Sequence, residues 1–131
     1  YKEPWMVGIQ DPSSYSNKSI YVISNINGEM LSIATSGEYR NFKISPDGTK
    51  QTHTINPNNQ KSIISNVLSV TVLDSKSATQ ADAYATGFNA MGGEESINLA
   101  NKQGIPLMLI NSKNDEIELL FSDKWYDFVY E

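Results

Sequence analysis

The stretch Val67-Leu68-Ser69-Val70-Thr71-Val72-Leu73 decides the fold of this chain of 131 residues. It is β-branched and largely apolar, as strands covered on both faces are, so it predicts a central strand over residues 67–73. A helix is expected next, over residues 79–91, and Gly92-Gly93 should end it. Ser77 is placed to be its N-cap, with Gln80 three positions further on as in a capping box.

Two turn sequences predict hairpins among the shorter strands. Asn27-Gly28 is a strong two-residue hairpin sequence, and we expect it to join strands over residues 19–26 and 29–34. Pro46-Asp47-Gly48 predicts a second hairpin. The remaining strands are expected over residues 5–9, 42–44, 52–55, 106–110 and 116–121.

A second helix is predicted over residues 94–102, because it opens with two acidic residues and Gly104 follows its end. Strands outnumber helices, and the two helices are adjacent in the chain. The sequence therefore predicts an α+β fold, a mostly antiparallel sheet with two adjacent helices. The length corresponds to one domain, residues 1–131.

Composition excludes several classes of function. The formal net charge is −5 and Lys/Arg runs are lacking, so sequence-independent nucleic-acid binding is not expected. The chain has no cysteine, which excludes disulfides, thiolate metal sites and a thiol nucleophile. Its first residue is Tyr1 rather than methionine, which indicates either a processed chain or a piece of a longer protein, and we expect a fragment.

Asp82 and Thr86 are the candidate metal ligands. They lie four residues apart on the predicted helix, so their side chains share one face, and hard oxygen ligands suit Mg²⁺. The flanking Ala81, Ala83 and Ala85 would let a ligand approach. The spacing has an ordinary alternative: an acid is stabilised early in a helix by its dipole, and threonine often bonds back to a carbonyl.

The turn Thr35-Ser36-Gly37 is a candidate phosphate or ribose site, because hydroxyl groups and backbone N–H groups suit such ligands. Glu38 follows, either touching a ligand hydroxyl or standing as a solvated surface acid. His53 is the only histidine of the chain and suits a general acid or base. Each of these segments also fits a purely structural role.

Taken in order, these segments resemble the ApbE family, the FAD:protein FMN transferases. The similarity covers nearly the whole chain and suggests the C-terminal portion of such a protein. The matching segments are Trp5-x-x-Gly8-Ile9-x-Asp11-Pro12, Ile33-Ala34-Thr35-Ser36-Gly37-Glu38-Tyr39, His53-x-Ile55-Asn56-Pro57, Ser69-Val70-Thr71-Val72, and Ala81-Asp82-Ala83-Tyr84-Ala85-Thr86 running to Met91-Gly92.

The resemblance implies a tunnelling-fold-related α+β protein that splits FAD with Mg²⁺ and attaches FMN to a threonine of a target protein. Such targets include flavin-accepting subunits of membrane redox complexes. Family members are commonly lipoproteins anchored on the outer side of the bacterial inner membrane, and some relatives hydrolyse FAD instead. By similarity, Asp82 and Thr86 would bind Mg²⁺, and His53 would be the catalytic residue beside the scissile pyrophosphate. Thr35, Ser36, Gly37 and Glu38 would line the FAD site.

Two departures from the family pattern bear on activity. The family loop His-x-x-Asp-Pro-x-Thr-Gly has Asn56 in place of the acid, and Asn59-Gln60 in place of Thr-Gly. An amide keeps turn hydrogen bonds but carries no charge. The family's N-terminal portion is also missing, so we expect this chain alone to be inactive. The alternatives are a Mg²⁺-dependent FAD pyrophosphatase and a degenerate, non-catalytic flavin-binding module.

Overall fold

The computed structural model describes residues 3–13, 17–25, 27–38, 42–48, 50–63 and 65–129. The elements in chain order are β1 (Met6–Gln10), β2 (Ser19–Ser24), β3 (Ser32–Gly37), β4 (Phe42–Ile44), β5 (Lys50–Thr52), β6 (Ile55–Asn56), β7 (Lys61–Ser62), β8 (Val67–Asp74), α1 (Ala78–Met91), α2 (Gly93–Gln103), β9 (Leu107–Lys113), β10 (Glu116–Phe121) and a 3₁₀ helix (Asp123–Asp127).

The main sheet has four antiparallel strands in the order β10-β9-β8-β3. The predicted central strand is confirmed, because β8 lies between β9 and β3 and most of its side chains are buried. The remaining described strands form three two-stranded antiparallel pairs, β1-β2, β4-β5 and β6-β7. The predicted α+β class is confirmed as well.

The main sheet separates two apolar clusters. The helix-side cluster consists of Val67, Val70, Val72, Ala81, Ala85, Phe88, Ala100, Ile105, Leu107 and Leu109. The hairpin-side cluster consists of Ile9, Ile23, Leu73, Met108, Ile110 and Trp125. Successive strand residues point to opposite faces, so Val72 and Leu73 enter different clusters. Helix α1 packs over β3 and β8, which fixes its position relative to the end of β3.

The residues predicted to begin and end the helices do so in the structure. Ser77 accepts a hydrogen bond of 3.1 Å from the Gln80 N–H, which confirms the N-cap. The reciprocal bond of a capping box is replaced, because the Ser77 N–H donates to Asp74 Oδ1 at 2.8 Å. α1 ends at Gly92, whose φ of 82° is left-handed, and α2 ends at Gly104, whose φ is 65°. Within the described part of the chain, neither helix is long and apolar enough to span a membrane.

The predicted hairpin around Asn27-Gly28 is wrong. A turn exists, because the Gly28 N–H donates to the Asn25 carbonyl at 2.7 Å, but β2 pairs with β1 and β3 pairs with β8. The strand predicted over residues 29–34 begins only at Ser32, and Ile26 lies outside the described residues. Pairing with β8 packs Ala34 against the helix-side cluster and Ile33 against the hairpin-side cluster, and a local turn preference does not outweigh these contacts.

The hairpin around Pro46-Asp47-Gly48 is confirmed, with β4 paired to β5. The return strand is displaced from its predicted range of residues 52–55, because β5 ends at Thr52 opposite Phe42. His53 and Thr54 therefore lie between two short strands instead of inside one.

The C-terminal segment completes the hairpin-side cluster. The Ser122 hydroxyl accepts from the Leu107 N–H at 2.8 Å and donates to the Ile105 carbonyl at 2.7 Å, so it fixes the start of β9. Trp125 follows in the 3₁₀ helix and is fully buried. Its ring packs edge-on against Tyr21 of β2, with centroids 5.7 Å apart, so the segment ties the β1-β2 hairpin to the main sheet.

Candidate functional site

Glu38 is a buried carboxylate at the end of β3. Its backbone N–H donates to the Leu68 carbonyl at 3.0 Å, which continues the pairing with β8 by one residue. Only 6% of the residue is exposed, whereas a glutamate is almost never buried unless its charge is paired. The solvated surface acid that the sequence left open as an alternative is therefore excluded.

Three side chains surround the Glu38 carboxylate. Thr54 Oγ1 and Asn89 Nδ2 both donate to Oε1, the latter at 2.9 Å. His53 Nδ1 lies 2.9 Å from Oε2. These contacts offset the cost of removing the carboxylate from water, and they join β3, the His53 segment and α1 at one point.

The backbone on both sides of His53 is fixed by hydrogen bonds. Thr52 Oγ1 donates to the Ile63 carbonyl at 3.0 Å, and the Ile63 N–H donates to the Thr54 carbonyl at 3.1 Å. Between these anchors the imidazole is held on its Nδ1 side, while 55% of the His53 side chain is exposed. The ring is thus both oriented and accessible, which suits proton transfer to or from a bound substrate.

The loop after His53 keeps a compact turn despite its departures from the family pattern. Asn56 Oδ1 accepts from the Asn58 N–H at 2.9 Å, and the Asn56 carbonyl accepts from the Gln60 N–H at 2.8 Å. The expectation that an amide keeps the turn hydrogen bonds is confirmed. Gln60 stands where the family pattern has glycine, and its φ of 57° is left-handed, a conformation that favours glycine.

Asp82 and Thr86 are exposed on α1, and the neighbouring Ala81 and Ala85 face the sheet. Along the helix, Asp82, Thr86 and Asn89 follow each other at i, i+4 and i+7, so they form one stripe. At 1.5 Å per residue, Asp82 and Thr86 are about 6 Å apart along the axis. The stripe runs from the two predicted metal ligands to the residue that contacts Glu38.

The donor chemistry of Asp82 and Thr86 fits Mg²⁺ in part. One carboxylate and one hydroxyl supply two hard oxygens, and Mg²⁺ usually retains waters and substrate phosphates in its other positions. Among the described residues, no group of three or more His, Cys, Asp or Glu side chains is arranged to hold a metal. Asp82 and Thr86 would therefore supply two ligands of an open site, in which water and substrate phosphates would take other positions.

The predicted flavin-binding residues are divided between the two faces of β3. Thr35 Oγ1 lies 2.8 Å from Thr71 Oγ1 on the hairpin side, beside a cavity of about 210 Å³. Ser36 alternates with Thr35 and so lies on the helix side with Ala34. Gly37 is the last residue of β3, and Tyr39 lies outside the described residues.

Of the predicted flavin-binding residues, Glu38 is the one in contact with His53.

Sequence reasoning did not find Asn89 and Thr54. Asn89 is only 2% exposed, and a buried polar residue on a helix has no periodic signature of its own. The only sequence signal for Thr54 is its position next to His53. Both donate hydrogen bonds to the buried Glu38 carboxylate, which requires such donors.

Comparisons with known proteins identify the family of the chain. The model of the ApbE family matches residues 1–109. The FAD:protein FMN transferases of Vibrio cholerae and Escherichia coli K12 are 36% and 32% identical over 126 residues, which are 96% of this chain and 36% and 34% of those proteins. The chain thus spans about a third of the length of the curated relatives it matches.

Comparison with solved structures identifies the same family. The flavin transferase ApbE from Vibrio cholerae has a TM-score of 0.76 and 34% identity, over 96% of this chain and 38% of that one. The ApbE protein from Thermotoga maritima has a TM-score of 0.77 and 26% identity, over 99% of this chain and 40% of that one. On the match of the family model and on these similarities, the chain belongs to the ApbE family.

Proposed function

We propose that this chain is the part of an FAD:protein FMN transferase that carries the base and the Mg²⁺-binding oxygens. Membership of the ApbE family and the names of its relatives support flavin transfer. The observation that carries the proposal is the Glu38–His53 contact of 2.9 Å, anchored through Asn89 to the helix that presents Asp82 and Thr86.

In the proposed reaction the hydroxyl oxygen of a target threonine attacks the FMN phosphorus of FAD. The P–O bond to the AMP phosphate breaks, AMP leaves, and a phosphoester joins FMN to the threonine. His53 takes the hydroxyl proton, and Glu38, itself held by Thr54, keeps the imidazole in place for this step. Mg²⁺ at Asp82 and Thr86 would neutralise charge on the pyrophosphate oxygens when bound.

The test uses the intact protein with FAD, Mg²⁺ and a threonine-bearing acceptor protein. Covalent flavin is measured by in-gel fluorescence and AMP by chromatography. We expect both products in equal amounts, and His53→Ala should slow transfer by about 10²- to 10⁴-fold while FAD binding is retained. Equal losses in transfer and in FAD affinity would make His53 a binding residue and contradict the proposal.

The same assay separates the alternatives. AMP release with no flavin on the acceptor would indicate a Mg²⁺-dependent FAD pyrophosphatase. Tight FAD binding with no turnover, unchanged by Asp82→Ala, would indicate a non-catalytic flavin-binding module. That alternative is motivated by the uncharged Asn56 and by Asn59-Gln60 in place of Thr-Gly. The extracytoplasmic location and the acceptor subunit of a membrane redox complex stay predictions.

A further inference from the structure

We propose that Glu38 is a positioning residue for His53 rather than part of the flavin site, and that it fixes which ring nitrogen carries the proton. This inference rests on the proposed function, because it assigns a role within the same proton transfer. It starts from a geometric fact: a carboxylate that is 6% exposed lies 2.9 Å from Nδ1 of an imidazole that is more than half exposed.

The neutral imidazole has one N–H and one lone pair, and its surroundings decide which nitrogen carries each. An ionised carboxylate only accepts hydrogen bonds, so Glu38 Oε2 requires the proton on Nδ1. The lone pair is then on Nε2, at the far side of the ring from Glu38. Nε2 is therefore the atom that takes the threonine proton.

The other oxygen of Glu38 explains why the carboxylate keeps this orientation. Oε1 accepts from Thr54 Oγ1 and from Asn89 Nδ2 at 2.9 Å, so two donors hold it on the side away from the imidazole. Among the described residues, Oε2 is a buried oxygen with no aligned hydrogen bond of its own, and His53 Nδ1, 2.9 Å away, is the nitrogen in contact with it. Because Oε1 is held by Thr54 and Asn89, Oε2 is the oxygen that faces His53. Glu38 thereby fixes the orientation of the imidazole ring.

A flavin-lining role and a positioning role predict different results. A residue that lines the FAD site changes FAD affinity when it is replaced. A positioning residue changes the tautomer of His53 and the rate of transfer, and leaves FAD affinity unchanged. His53 is the only histidine of the chain, so its ring nitrogens can be observed without overlap in a ¹⁵N NMR spectrum.

The first experiment is a long-range ¹H–¹⁵N spectrum of the 131-residue chain, free of any histidine tag. It is recorded at a pH where the ring shifts no longer change. We expect the proton on Nδ1. Glu38→Leu, which fills the site with an apolar side chain and removes the acceptor, should move the proton to Nε2, the tautomer that free histidine favours. A wild-type spectrum with the proton on Nε2 would overturn the proposal without any variant.

A compensating pair makes the test specific. In Glu38→Gln/Asn89→Asp the carboxylate is moved to position 89, where it accepts from the introduced amide NH₂ group. The amide oxygen then faces His53 and should restore the proton to Nδ1. An Nε2–H spectrum in this double variant would contradict the directional role that we assign to the pair.

The second experiment measures kinetics on the intact protein. Glu38→Leu should lower kcat by about 10²- to 10⁴-fold with KM for FAD unchanged, and the compensated pair should recover most of this loss. Glu116→Leu, on the opposite edge strand of the main sheet, is the matched control and should change neither value. A rise in KM for FAD with the tautomer unchanged would return Glu38 to the flavin site.

The two proposals fail in different ways. If the wild-type protein transfers no flavin but the spectrum shows Nδ1–H, the proposed function is wrong and the Glu38–His53 geometry stands. If flavin is transferred and the spectrum shows Nε2–H, the function stands and the positioning role is wrong.

Discussion

Asn89, on the buried side of α1, donates a hydrogen bond of 2.9 Å to Glu38 at the end of β3. This bond is the direct link between the helix that carries the predicted metal ligands and the carboxylate that contacts His53. It joins two buried side chains that are far apart in sequence, and a buried polar group without a partner is costly. The chemistry of the site and the stability of the fold therefore depend on the same contact.

The carboxylate of Glu38 and the amide of Asn89 should be interchangeable between the two positions. Asn89→Asp alone places two carboxylates together in a buried site and should lower the free energy of unfolding by about 3 kcal/mol at neutral pH. With Glu38→Gln added, one charge and one amide face each other again, and we expect a favourable coupling of about 2 kcal/mol. Urea denaturation of the wild type, both single variants and the double variant measures it. Additive losses would contradict the direct contact.

Gln60→Gly should stabilise the protein. The left-handed φ of 57° strains a residue with a Cβ, and glycine removes that strain at some cost in unfolded-chain entropy. We expect a gain of about 0.5–1 kcal/mol in the free energy of unfolding. Gln60→Ala is the control, since alanine keeps the Cβ and should give no gain. Equal effects of glycine and alanine would show that the strain is not relieved at this position.

Asn56→Asp should leave the turn intact and raise the transfer rate. A carboxylate oxygen can accept the Asn58 N–H, now 2.9 Å from Asn56 Oδ1, as well as the amide oxygen does. The added charge lies in the loop that follows His53, where the family pattern has an acid. Flavin transfer by the intact protein and the thermal midpoint are both measured. An unchanged rate would mean that the amide is tolerated.

Asp82→Ala should abolish the dependence of the rate on Mg²⁺ together with activity in the intact protein. Thr86→Val should have a smaller effect, because it removes a neutral ligand and not a charged one. Glu95→Ala, an exposed acid in the first turn of α2, is the control and should be silent. Transfer by Asp82→Ala that still increases with Mg²⁺ would refute the ligand assignment.

Local interactions explain what the sequence predicted well. Ser77, Gly92 and Gly104 act within one helical turn, so the ends of both helices followed from the residues themselves. The apolar, β-branched composition of residues 67–73 sufficed for the central strand, because both faces of such a strand must be covered. These features need no knowledge of distant parts of the chain.

Non-local pairing explains the errors and omissions. The Asn27-Gly28 turn forms, but the partner of β3 is β8, and no local sequence contains that choice. The burial of Glu38 depends on donors from Thr54 and Asn89 that come together only in the folded protein. The identity of the candidate site residues was accessible from the motifs, and the contacts among them were not.

The fully buried Trp125 has a consequence for where the domain can be cut. The family match stops at residue 109, but Ser122 and Trp125 lie beyond it and complete the packing against Leu107 and Tyr21. A protein truncated at that point would keep every proposed site residue, but it would lose β10, the part of β9 from Ile110 onward, and the segment that covers the hairpin-side cluster. Its bare strand edge and uncovered apolar surface would favour aggregation, so loss of activity on such truncation would report misfolding rather than chemistry.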